Sequence, residues 1–283
     1  MSSQSGGYYL PEPSRWPIVG SIGLFFLALG AVFTMNAVSG GWYIVLVGAI
    51  VMTYMLFGWF GTVIRESESG KYNKQVDVSF RWSMSWFIFS EVMFFAAFFG
   101  ALFYMRVLSI PWLSEGETGN LLWDGFVAAW PTDGPGVESK FTPMGAWGLP
   151  AINTALLLTS GVTLTVAHWA LKMGKRGLLN SFMFLTIALG VLFLGLQVLE
   201  YMHGYQDLDL TLESGAYGAT FYMLTGFHGF HVTLGTIMLI VVWLRGIRGH
   251  FKPEAHFGFE GVAWYWHFVD VVWLGLFIFV YWL

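Results

Sequence analysis

The chain has 283 residues, of which 56% are hydrophobic and only 11% are charged. A soluble domain carries about a quarter charged residues, so this composition indicates a protein that is surrounded mainly by lipid. The near balance of 13 basic and 17 acidic residues offers no surface for nucleic acid, and the absence of Cys excludes disulfides, cysteine-ligated zinc and iron–sulfur sites.

Seven apolar runs are long enough to cross a bilayer, by the criterion of about 20 residues. In chain order they cover 17–38, 42–64, 82–105, 150–171, 180–203, 217–244 and 257–282. The sequence therefore predicts an all-α, polytopic membrane protein with seven transmembrane helices in a single membrane domain, 1–283. The only long non-apolar connection runs from Val107 to Leu149. The first 16 residues lack the features of a signal peptide, and we expect the mature chain to begin near Met1.

Only Ser39–Gly41 joins the first two spans, which predicts an antiparallel hairpin over about 17–64. Glycines in these spans would allow close backbone contact: Gly20, Gly23, Gly30 and Gly48. The remaining five spans, about 82–282, are predicted to form a bundle.

Basic residues alternate between connections, which predicts the orientation in the membrane. They follow the second, fourth and sixth spans: Arg65, Lys71, Lys74, Arg81, Lys172, Lys175, Arg176, Arg245, Arg248 and Lys252. The first and fifth connections have none, and the long third connection has Lys140, with Arg106 at its edge, against five acids: Glu115, Glu117, Asp124, Asp133 and Glu138. The N-terminus is therefore predicted to be cytoplasmic and the C-terminus external.

Glu91 lies ten residues after Arg81, and so roughly 15 Å into the bilayer at about 1.5 Å per residue. An ionised acid there costs about 2.5–3.5 kcal/mol. The carboxyl is therefore predicted to be protonated, paired or in a water-filled cavity. A proton-relay or lipid-contact role and a structural hydrogen bond between helices both fit this position.

Two other pairs of polar side chains also lie within spans. His228 and His231 are three residues apart, as are His267 and Asp270, so each pair shares a helix face. Metal ligation and catalysis are possible readings, but the usual ligand spacings are missing. We interpret all four as structural polar clamps between helices.

Several ionisable residues lie near span ends and need less explanation. The side chains of three of them are predicted to extend along their helices to the membrane–water interface: His168, Glu200 and His203. Arg65, Arg81 and Arg245 flank spans on the basic side, where lipid headgroups or simple charge placement would account for them.

The sequence shows no phosphate-binding loop and no nucleophile elbow, so it predicts no catalytic, cofactor-binding or metal-binding residue on this chain. Mid-membrane acids and histidines without catalytic apparatus are typical of an accessory subunit, a channel or a small transporter.

Six segments carry a resemblance to a known family. They are Val63–Ser67, Phe89–Phe95, Ile152–His168, Gly195–Tyr201, Thr225–His231 and His256–Leu274. They occur in family order, and the chain resembles subunit III of the haem-copper respiratory oxidases, in the cytochrome c oxidase branch.

The resemblance implies a subunit with two helices separated from five by a lipid-filled cleft. Such a subunit docks on the catalytic subunit I, beside subunit II, in a complex that accepts electrons from cytochrome c and pumps protons. Haem and copper would lie in the partner subunits, while this chain would bind phospholipids, stabilise subunit I, support proton uptake and guide oxygen. By the same resemblance, Glu91 matches a buried carboxyl of the third helix, and Arg65 and Arg245 match positions near lipid headgroups.

Departures from the family pattern bear on the source of the chain. Charged residues are missing around Trp59–Thr62, and the Val107–Leu149 connection is longer than in compact mitochondrial proteins. The missing charges imply different contacts around Trp59–Thr62. The longer connection, which also lacks the motif typical of the mitochondrial proteins, leads us to expect a bacterial cell inner membrane rather than a mitochondrial one. The rival readings are subunit III of a quinol oxidase, a homologue associated with nitric oxide reductase, and, from a different class, a stand-alone proton channel.

Overall fold

The computed structural model describes residues 9–115, 119, 121–123, 125–135 and 141–283. Within them, seven helices are long and apolar enough to cross a membrane. They are α1 (Trp16–Met35), α2 (Gly41–Glu68), α3 (Lys74–Phe103), α4 (Leu149–Lys172), α5 (Arg176–Asp207), α6 (Gly215–Ile247) and α7 (Phe257–Leu276). The described residues contain no β-strand, so the all-α fold with seven spans is confirmed.

Several helix ends differ from the predicted span ends. Helix α1 stops at Met35 rather than residue 38, because Ala37 adopts a left-handed backbone with φ of 55°. Helix α3 begins at Lys74 rather than residue 82, because the Asn73 side chain accepts a hydrogen bond from the Val76 amide at 3.0 Å and so caps the first turn.

The far end of α3 also extends beyond the apolar run. It continues through a π-helical segment, Tyr104–Ser109, and a last turn, Ile110–Ser114, so the connection to α4 begins at Glu115 rather than Val107. Helix α7 ends in a similar π-helical segment, Phe277–Trp282. The predicted loop charges Glu117, Asp124, Glu138 and Lys140 lie outside the described residues.

The chain divides into two compact units, Met1–Phe80 and Arg81–Leu283. In the first unit, α1 and α2 pack antiparallel through glycine. A Cβ built on Gly48 would lie 2.6 Å from the backbone nitrogen of Leu27, and one on Gly30 would lie 2.5 Å from that of Val45. A side chain at either position would separate the helices, which confirms the predicted close contact.

In the second unit, α7 is the most buried span and Trp266 lies at its centre. The Trp266 ring is fully buried and donates its indole N–H to Ser160 Oγ of α4 at 2.8 Å. Gly190 of α5 and Gly235 of α6 face the same ring, and a Cβ on either would lie within 2.9 Å of it. One tryptophan thus contacts three other helices and fixes their spacing.

Hydroxyl groups make further links between these helices. Trp273 of α7 donates to Thr154 of α4 at 2.9 Å, and Thr163 of α4 is hydrogen-bonded to Thr186 of α5 at 2.8 Å. Because lipid offers no hydrogen bonds, such polar groups pair within the bundle, where each pair contributes modestly to helix association.

Candidate functional site

Glu91 of α3 and His231 of α6 form a buried pair. Glu91 Oε2 lies 2.8 Å from His231 Nε2, and the two side chains are 22% and 9% exposed. Of the states that the sequence left open for Glu91, the structure shows pairing with a neighbouring helix.

The hydrogen bond of the other imidazole nitrogen limits the protonation states of this pair to two. His231 Nδ1 lies 2.6 Å from the carbonyl oxygen of Phe227, one turn earlier, so Nδ1 must carry a hydrogen to donate. The pair is therefore either a carboxylic acid donating to a neutral imidazole or a carboxylate accepting from an imidazolium. Both states hold the same number of protons, and they differ only in which atom carries the proton between Oε2 and Nε2.

Aromatic rings surround this pair. Phe95 packs edge-on against the His231 ring at 4.9 Å between centroids, Phe94 lies at 5.9 Å, and Tyr265 of α7 stacks parallel to it at 6.4 Å. These rings lower the local dielectric and favour the neutral form of the pair.

His228 is turned away from His231 and has a different partner. Its ring is fully buried, and Nε2 lies 3.2 Å from the Val269 carbonyl of α7. The Phe193 and Trp273 rings pack against it at 5.8 Å and 4.9 Å. His228 therefore links α6 to α7 and does not join the Glu91 pair.

His267 and Asp270 contact each other within α7, more loosely than the first pair. His267 Nδ1 lies 3.5 Å from Asp270 Oδ2, and His267 Nε2 lies 3.4 Å from Thr165 Oγ1 of α4. Both residues lie within the predicted span, but only Asp270 is buried, because the His267 side chain is 43% exposed. Gly161 of α4 makes room for Asp270, because a Cβ there would collide with Oδ2.

Glu200 of α5 is a buried carboxyl whose position the sequence analysis predicted wrongly. It is fully buried, not extended to an interface, and the hydroxyl of Tyr281 donates to its Oε1 at 2.5 Å. His203 instead pairs with Asp207 at 2.7 Å on the exposed surface. Tyr281, near the end of the chain, offered a hydroxyl donor for a buried carboxyl, but nothing in the sequence indicated which α5 residue it would contact.

The two arginine candidates lie at helix ends on the basic side. Arg65 is exposed in the last turn of α2 and donates to Thr62 at 3.1 Å. Next to it, Glu66 accepts a hydrogen bond from the Tyr72 hydroxyl at 2.7 Å, and burial together with this acceptor raises the pKa of Tyr72 above its usual value. Arg245 ends α6 and lies over the Phe251 ring at 4.6 Å.

The predicted site residues therefore form separate pairs and no single centre. Glu91 and His231 meet, His267 and Asp270 meet, and His228 binds a backbone carbonyl. Arg245 lies fourteen residues beyond His231 on the same helix, which places it roughly 21 Å away.

These features define a class: a multi-pass helical membrane protein whose embedded acids and histidines pair within the bundle, either between helices or along one helix. A family model described as cytochrome c oxidase subunit III matches residues 6–283. The chain belongs to that family, which confirms the resemblance seen in its motifs. It is a subunit of a cytochrome c oxidase in the respiratory chain.

Similar proteins agree with this assignment over their whole length. The chain is 40% identical to cytochrome c oxidase subunit 3 of Marchantia polymorpha, with 99% of this chain and 97% of that protein covered. It is 40% identical to the protein of the same name in Arabidopsis thaliana, covering 100% and 98%, and 38% identical to that of Halichoerus grypus, covering 100% and 99%.

Proposed function

We propose that this chain is a non-catalytic subunit that docks on oxidase subunit I, beside subunit II, and stabilises the catalytic subunit during turnover. The observation that supports this is the separation of its embedded histidines. His228 binds a backbone carbonyl and His231 binds Glu91. His267 contacts Asp270 and Thr165. Haem and copper sites require ligands that converge, so we place the haem and copper of the complex, and its use of cytochrome c, in the partner subunits.

The second part of the proposal is phospholipid binding at the basic ends of two helices. Arg65 ends α2 and Arg245 ends α6, and both belong to connections rich in Lys and Arg. A guanidinium at this depth lies near the headgroups of anionic lipids and binds a phosphate through two parallel hydrogen bonds.

A role in proton uptake and oxygen access is the third part. Glu91 and His231 can pass a proton between Oε2 and Nε2 without changing their total number of protons. This hydrogen bond supports a proton-relay role near the proton path of subunit I, while the apolar surfaces of the spans offer oxygen a lipid-like route.

The proposed setting is a bacterial cell inner membrane with the N-terminus cytoplasmic. The alternation of basic connections supports the orientation. The long connection between α3 and α4 supports the bacterial source.

Purification of the complex from its native membrane tests the main proposal. An affinity tag on this chain should recover a partner with haem and copper absorbance that oxidises cytochrome c. Recovery of a haem-free homo-oligomer that conducts protons in liposomes would instead indicate the stand-alone channel, and oxidation of quinol in place of cytochrome c would contradict the electron donor.

A further inference from the structure

Three side chains with metal-binding atoms meet where the end of α4 contacts the beginning of α7. They are His168, in the last turn of α4, and His256 and Glu260, which precede and begin α7. One ligand atom from each lies within 4.8 Å of the other two. The two imidazole rings are 5.3 Å apart between centroids, and the His168 ring also packs against Phe259 at 5.5 Å. The cluster lies at the side of the protein that carries the basic connections.

The backbone around His256 fixes which nitrogen of its ring is available. Lys252 and Ala255 form a short antiparallel bridge, and His256 Nδ1 lies 3.2 Å from the Lys252 carbonyl oxygen. Nδ1 therefore carries the hydrogen, and Nε2 of the neutral ring has a free lone pair. Metal-binding histidines usually donate their other ring N–H to a carbonyl or a carboxylate in this way, which fixes the orientation of the ring.

Two ring nitrogens in this cluster lack hydrogen-bond partners. His168 Nε2 and His256 Nε2 are both buried, and neither has a partner among the residues that the structure describes. Buried polar nitrogens are nearly always satisfied in native proteins. A bound cation would satisfy both.

Glu260 supplies a carboxylate that is already held in place. Its Oε2 accepts a hydrogen bond from Arg81 of α3 at 2.8 Å, which holds the carboxylate beside the two histidines. The Arg81 side chain also lies over the Phe257 ring, at 5.3 Å from its centroid, so its position is constrained from two directions.

We propose that His168, His256 and Glu260 bind a zinc ion. Two imidazoles and one carboxylate, with water as the fourth ligand, form a common tetrahedral zinc site with bonds of about 2.0–2.2 Å. Such bonds place ligand atoms roughly 3.3 Å apart, so these atoms would move inward by about an ångström on binding. Magnesium and calcium prefer oxygen ligands and fit this donor set poorly.

The charges around the site set how binding should respond to mutation. Arg81 of α3 and the exposed Lys172, one turn after His168, are positive, Glu260 is negative, and His267 of α7 is nearby. Lys172→Gln removes one repulsive charge and should strengthen binding.

Zinc binding to the purified oxidase complex tests the proposal. Equilibrium dialysis against zinc, with and without excess magnesium, should show that His168→Gln and His256→Gln each weaken one zinc site by roughly tenfold or more, as loss of a ligand does. The control is His203→Gln, because His203 is also paired with a carboxylate, Asp207, but lies at the opposite end of the bundle. Equal zinc binding by the wild type and both site variants would overturn the proposal.

A spectroscopic measurement on the wild type does not depend on how the variants fold. X-ray absorption at the zinc edge is compared for the complex with this subunit and for the complex from which it has been removed. The difference spectrum should show two imidazoles and oxygen ligands. A difference spectrum without imidazole would contradict the site even if the variants fail to assemble.

Discussion

The proton between Glu91 and His231 determines the charge state of a close carboxyl–imidazole contact that links α3 to α6. The His231 tautomer is fixed by the Phe227 carbonyl, and the surrounding rings of Phe94, Phe95 and Tyr265 disfavour two separated charges. A proton on Glu91 Oε2 leaves the pair neutral and keeps its hydrogen bond, whereas a proton on His231 Nε2 makes it an ion pair.

Infrared spectroscopy of the wild-type complex and Glu91→Gln tests the protonation of Glu91. The Gln amide still donates to His231 Nε2, so the fold should be retained while a protonated carboxyl band disappears. Initial oxygen consumption should remain largely intact, because we propose that the redox centres lie in another subunit. Loss of a carboxylate band alone would show that the pair is ionic.

The buried Glu200 leads to a second prediction, about stability. Tyr281→Phe removes the hydroxyl that donates to Oε1 and leaves a fully buried carboxyl without that partner. Such a loss costs about 1–3 kcal/mol, so the subunit should leave the complex at a lower temperature. Tyr104→Phe is the matched control, since Tyr104 is exposed on α3, and it should leave this temperature unchanged. If the subunit left the complex at the same temperature in both variants, the Glu200 contact would not stabilise the fold.

At the scale of helices, the α1–α2 contact depends on glycine. Gly48→Ala would place a methyl group 2.6 Å from the Leu27 backbone, so the helices must separate and the hairpin should be destabilised. Gly100→Ala is the control, because a Cβ on this glycine of α3 meets nothing within 4 Å. Thermal unfolding in detergent should show a loss for the first variant and no loss for the second. The reverse order would contradict the packing of the hairpin.

The sequence predicted the helices well because a membrane imposes a minimum apolar length, and seven runs met it. It predicted their ends less well, since α3, capped by Asn73, begins eight residues before the apolar run and the left-handed Ala37 stops α1 early. These ends depend on local hydrogen bonds and backbone angles, which hydrophobicity does not report.

Pairings between helices were less accessible to sequence reasoning. His267 and Asp270 could be paired from their spacing, because they lie on one helix. The partners Glu91 and His231 are 140 residues apart, and Glu200 and Tyr281 are 81 apart. Each contact depends on how two helices are rotated against each other, and this rotation is set by packing around residues such as Trp266.

At the scale of the whole molecule, the orientation in the membrane can be tested directly because the chain contains no Cys. Ser69→Cys places a thiol in the exposed connection after α2, and Leu212→Cys places one in the exposed connection after α5. A membrane-impermeant maleimide applied to intact cells should label the second and leave the first unlabelled until the cells are opened. Labelling of Ser69→Cys alone in intact cells would show that the chain has the opposite orientation in the membrane.

We propose that this chain supports the catalytic subunit and carries no redox centre. Removing it from the purified oxidase, then recording the haem and copper spectrum and the initial rate of oxygen consumption, tests that claim most directly. We expect an unchanged spectrum per catalytic subunit and a largely retained initial rate, followed by faster loss of activity during turnover. Immediate and complete loss of oxygen consumption, or loss of a haem or copper signal with this chain, would contradict it.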